Sequence, residues 1–138
     1  MSNKGGLAYL DEGARFYTTS EGRQMYRELK EGNEKFQPFE THSQIYVLAL
    51  AIGILSNDKV DVKEKLDETL FVYPVYLNQD EYGVFPLMLK SMHPELDNAG
   101  IEDIMNRYAE AGLRYLYKKY KDNQTIDFQE VLKLRPKQ

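Results

Sequence analysis

Ile45-Tyr46-Val47-Leu48-Ala49-Leu50-Ala51-Ile52-Gly53-Ile54-Leu55 runs for eleven residues without a charged side chain, and its reading decides the fold. Before it stands Thr41-His42-Ser43-Gln44, in which the Thr41 hydroxyl caps a helix and Gln44, three residues on, reaches back to the same turn. Ser56-Asn57-Asp58 then ends the helix. A helix apolar on every side must be enclosed by other elements, and this one is far shorter than the roughly 20 residues that span a bilayer. The expected fold is therefore mainly α, a single compact helical domain around one buried central helix, with a minor β-hairpin allowed near Val60 to Val75.

A chain of 138 residues fits one domain and buries a core without disulfides or a structural metal. The absence of cysteine excludes thiol catalysis and thiolate metal sites, and is compatible with a reducing compartment. Met1 to Gly6 has one lysine and no apolar run behind it, so a soluble, cytoplasmic protein without membrane contact is the expectation. The net charge of −4 argues against a protein that coats nucleic acid, yet it hides a split. Arg107 to Gln138 holds eight Lys/Arg against four Asp/Glu, a net of +4, leaving ten against eighteen, a net of −8, in residues 1 to 106. Such asymmetry marks a docking surface for an acidic partner, or two halves that neutralise each other within one fold.

Along the chain, residues 1 to 19 read as an N-terminal arm and 20 to 138 as the helical domain, with five or six helices. Thr18-Thr19-Ser20 offers N-cap hydroxyls to a short helix whose apolar side is Met25, Tyr26 and Leu29, stopped at Gly32-Asn33. Phe36, Pro38 and Phe39 form a connector into the central helix. Val60-Asp61-Val62 alternates like a strand, and Leu70 to Leu77 reads as an apolar connector bent at Pro74. A further helix is predicted from Asn78 to Met92, kinked at Pro86 unless it starts near that proline, where the ring is tolerated. The longest helix starts at Asp97-Asn98-Ala99-Gly100, with Ile101, Ile104, Met105, Tyr108, Gly112, Tyr115 and Leu116 as its stripe. Glu102 and Asp103 are expected in its first turn and Lys118, Lys119 and Lys121 in its last ones. Thr125 to Leu134 reads as a short amphipathic helix.

Two surfaces of the long helix are candidate sites. Leu113, Tyr117 and Tyr120 widen its apolar side beyond what one neighbour needs, which makes them a candidate partner-binding surface unless the final segment or a second copy of the chain covers them. Arg107, Arg114, Lys118 and Lys121 project together on the opposite side, a candidate face for DNA or an acidic protein, weakened by Asp103 and Glu110 beside it. Catalytic chemistry is harder to find. The chain has no Gly-rich phosphate loop, no nucleophile elbow, and two separate histidines, His42 and His93. Asp58 with Asp61-Val62-Lys63 resembles a metal-dependent nuclease arrangement only loosely, and the spacing is poor. We expect neither catalytic, cofactor-binding nor metal-binding residues, and no enzyme.

Pro38-Phe39-Glu40-Thr41, running into a helix that ends Ala51-Ile52-Gly53-Ile54, and later Arg107-Tyr108-Ala109-Glu110-Ala111-Gly112-Leu113, resembles the small accessory proteins encoded beside DNA phosphorothioation systems, the system-associated protein 4 type. The similarity extends over about Arg23 to Lys121. It implies a bacterial or archaeal phage-defence setting and carries no catalytic motif onto this chain. Family members tend to have basic residues after the central helix, whereas this chain has Asp58, Lys59, Asp61 and Lys63. The implied function is that of a non-enzymatic adapter contacting a protein of a DNA-modification or restriction assembly. The alternative is a DNA-binding module using the basic face of the long helix.

Overall fold

A computed structural model of the chain describes residues 16–31, 42–70 and 84–122. The apolar run lies in a helix, α2, over His42–Ser56, and is the centre of the core. Thr41, its expected cap, lies outside the described residues. The other end is closed by geometry that the sequence suggested. Asn57 takes a φ of 55°, the left-handed conformation that asparagine tolerates, so that its N–H reaches the Ile54 carbonyl at 3.1 Å and the Asp58 N–H reaches that of Gly53 at 2.9 Å. Two of the four carbonyls that the helix end leaves without an intrahelical partner are thereby satisfied. Coverage of α2 is uneven, because Leu48, Ala51 and Leu55 form a half-buried stripe while Ile45, Tyr46, Leu50 and Ile52 are sealed.

The long helix, α4, spans Asn98–Lys121 and packs along α2. Asp97 is its N-cap, accepting the Gly100 N–H at 2.8 Å. Glu102 and Asp103 fall one turn later than expected, so the capping carboxylate itself supplies the negative charge at the positive end. Where α2 and α4 cross, bare backbone meets bare backbone. A Cβ on Gly112 would stand 1.8 Å from the Ala49 carbonyl oxygen, and one on Gly53 would stand 2.1 Å from that of Tyr108. Only glycine fits at either position. Beside the crossing, the Tyr46 hydroxyl donates to Asn106 Oδ1 at 2.8 Å, a buried polar pair that links the two helices.

Two elements close the ends of this pair. The first, α1, covers Ser20–Glu31 and buries Tyr26 and Leu29, as its apolar spacing predicts. The second, α3, runs from Val84–Met92 and buries Leu89. Pro86 is the third residue of this stretch, a position where the ring is tolerated in a first turn. Asn78 to Gly83 and Thr125 to Leu134 lie outside the described residues.

The strand readings need correction. A strand β1, Phe16–Thr18, pairs antiparallel with β2, Glu68–Leu70, with Phe16 opposite Leu70 and Thr18 opposite Glu68. This small sheet joins distant parts of the chain, whereas Val60-Asp61-Val62 forms no strand. Phe16 is 2% exposed and meets Tyr46 edge-on at 5.1 Å between ring centroids. Phe16, Thr18 and Thr19, which precede the boundary expected after residue 19, are buried. Among the described residues, no helix is long and apolar enough to cross a membrane.

Candidate functional site

The expected partner surface separates into two environments. Leu113 is completely buried in the core and is unavailable to a partner, which corrects its assignment. Tyr117 and Tyr120 are half-buried, with ring centroids 6.1 Å apart. The Tyr117 hydroxyl donates to Glu28 Oε1 at 3.0 Å, and the Lys121 ammonium lies 3.9 Å from the same oxygen and 5.7 Å from the Tyr117 ring. These groups seal the seam between α1 and α4. The helical spacing that united the three residues missed α1, which covers the middle of the stripe.

The expected basic face is also divided. Arg107 Nη1 donates to the carbonyls of Asp61 at 2.7 Å and Glu64 at 3.0 Å, while its Nε donates to Asp103 at 3.1 Å. Arg114 holds both carboxylate oxygens of Glu64, and that hydrogen bond keeps the Glu64 carboxyl below its ordinary range. Both arginines thus fasten one turn, Asp61 to Glu64, to α4. The turn is further closed by the Glu64 N–H on the Asp61 carbonyl at 3.0 Å and the Lys63 N–H on Asp61 Oδ1 at 2.8 Å. Lys118 and Lys121 remain exposed, with Lys118 paired to Asp122 at 2.9 Å. Asp61 serves the turn, and among the described residues no group of three or more His, Asp and Glu side chains could hold a metal ion.

Sequence reasoning missed the buried carboxylate of Glu110, which is 1% exposed. Thr18 and Thr19 donate their hydroxyls to its two oxygens at 2.6 and 2.7 Å. Thr19 simultaneously caps α1 by accepting the Gly22 N–H at 2.9 Å. The carboxylate therefore sits at the positive end of α1, with Arg114 at 3.8 Å. Gly22 makes room, since a Cβ there would stand 2.0 Å from Thr18 Oγ1 and 2.8 Å from Glu110 Oε2. Burial raises the Tyr26 and Tyr46 phenols well above their ordinary value, and the Glu110 charge adds to it. The available signal was Glu110 itself, set among Ala109, Ala111 and Gly112, whose small side chains let neighbours close over it. This is a structural junction: its oxygens are occupied and no solvent reaches it.

Exposed large apolar side chains lie elsewhere. Leu87, Met88 and Met92 of α3 are 36, 37 and 43% exposed, whereas Leu89 of the same helix is buried. Val62 projects at 76% from the turn fastened by Arg107 and Arg114. His93 follows α3 and approaches the Tyr108 hydroxyl at 3.5 Å, while His42 opens α2 against the Tyr26 ring. No known protein family, curated protein or solved structure matches the chain.

Proposed function

We propose that the protein is a non-catalytic adapter that binds another protein, with α3 presenting the contact. One observation carries this reading: Leu87, Met88 and Met92 are exposed large apolar side chains on one short helix, which is anchored in the core by Leu89. Flexible, polarisable methionines suit an adaptable protein-binding surface, and an apolar group of this kind has no use in contacting phosphates. The resemblance to phosphorothioation-associated accessory proteins supports a partner within a DNA-modification or restriction assembly. The DNA-binding alternative loses Arg107 and Arg114 as free cations, since both are engaged with the Asp61 to Glu64 turn.

The test is co-purification of the tagged protein from its host, with and without nuclease. The expected result is a nuclease-resistant protein partner, absent when Leu87→Ser, Met88→Gln and Met92→Gln are combined. The variant should keep the parent's unfolding profile. Recovery of nucleic acid alone, or a partner retained by the triple variant, would overturn the proposal.

A further inference from the structure

The chain has five methionines and no cysteine, so its readily oxidised side-chain sulfur is all thioether. The fold sorts these sulfurs by access. Met105 of α4 is completely buried in the core cluster, and Met25 of α1 is partly buried against it. Met88 and Met92 are exposed. They stand four residues apart in α3, which puts one above the other, a turn along the same helix face. Other groups hold that helix in place. Leu89 is buried, the His93 N–H donates to the Leu89 carbonyl at 2.8 Å, and the Lys90 ammonium reaches past the helix end to the carbonyls of Pro94 and Leu96. Neither exposed sulfur takes part in this anchorage.

We infer that Met88 and Met92 form a paired oxidation site at which a peroxide-class oxidant turns off the α3 contact; the inference rests on the adapter reading. In each step a sulfur lone pair attacks one peroxide oxygen, so that an S–O bond forms as the O–O bond breaks. The sulfur gives up two electrons, and the departing oxygen leaves as water after proton transfer. The product is a polar, chiral sulfoxide in place of a flexible apolar group. Two sulfoxides one turn apart set strong hydrogen-bond acceptors into an apolar patch, and a partner that buries them without donors meets the cost of unpaired polar groups. That cost falls on the complex. The fold is spared, because both positions face solvent, whereas a sulfoxide at Met105 would disrupt the core and is kept from forming by burial. Reversal requires two thiols from outside the chain, delivered by a sulfoxide reductase, since this protein has none of its own.

The experiment exposes the full chain to dilute hydrogen peroxide and follows each methionine by peptide mass spectrometry. Met88 and Met92 should gain oxygen at least roughly tenfold faster than Met105. Protein oxidised at both should keep its urea midpoint, elute earlier from a hydrophobic-interaction column, and return to its first position after treatment with methionine sulfoxide reductase and a dithiol. A partner that the triple α3 variant loses should be released by peroxide and bound again after reductase. Met25→Leu should leave that response as in the parent. Oxidation of Met88 and Met92 no faster than that of Met105, a lowered midpoint, or a response lost with Met25→Leu would each overturn the inference. A partner that is lost in the triple variant yet retained by the doubly oxidised protein would also overturn it, while leaving the adapter reading in place. A partner retained by the triple variant overturns the adapter reading, and this inference with it.

Discussion

At the scale of single residues, Glu110 is the most consequential side chain outside the apolar core. Replacing it by alanine leaves the Thr18 and Thr19 hydroxyls without their acceptor in a buried space, and should cost about 3 kcal/mol in urea unfolding. Gly22→Ala should be destabilising through the same contact, because the new methyl occupies the place of the Thr18 hydroxyl. His42 gives a prediction in pH. Its folded value lies below the usual 6.5, so the unfolded chain takes up the proton first. Its share of stability is complete above 6.5 and is lost as pH falls from there through the lower folded value. His42→Gln should remove that part of the pH dependence, measured as denaturation midpoints across the window.

At the scale of elements, the helices were largely legible because they rest on local chemistry: an apolar period, an Asp97 cap, an Asn57 stop. Their partners were not legible, since periodicity says which side is apolar and not which neighbour covers it. Helical projection therefore puts Leu113 on a surface, although it has no exposure in the fold. The glycines show the same division. An exposed mid-helix glycine usually gains stability on becoming alanine, by up to roughly 1 kcal/mol. Here Gly53→Ala and Gly112→Ala should each lose about 3 kcal/mol or more, because backbone oxygens of the facing helix occupy the methyl position. A gain in melting temperature for either variant would refute the crossing geometry. Arg107→Ala should cost about 2 kcal/mol and speed amide exchange in residues 61–64, since it removes bonds to both turn carbonyls. Arg114→Ala should cost less than about 1 kcal/mol, because its pair with Glu64 is partly solvated.

At the scale of the whole molecule, the segment before α1 is part of what holds the fold. A chain beginning at Ser20 loses Phe16, Thr18 and Thr19, and should lose cooperative unfolding as read by circular dichroism. Long-range strand pairing and buried polar bonds are what a linear reading sees least well: β1 and β2 are each three residues long, and neither carries a pattern of its own. The candidate surfaces were obscured for the same reason, as Arg107 and Arg114 appear free until the 61–64 turn is laid against them. These distant links also bear on how quickly the native state is reached. Tyr46 meets Asn106 across 60 residues, and Thr18 meets Glu110 across 92. Helical proteins whose neighbours in space are neighbours in sequence fold fastest, and this one belongs at the slow end of its class. The α2–α4 crossing forms the shorter closure and should be structured in the transition state, whereas the hydroxyl bonds to Glu110 should form after it. Substitutions at Thr18 are then expected to quicken unfolding while leaving the refolding rate nearly unchanged.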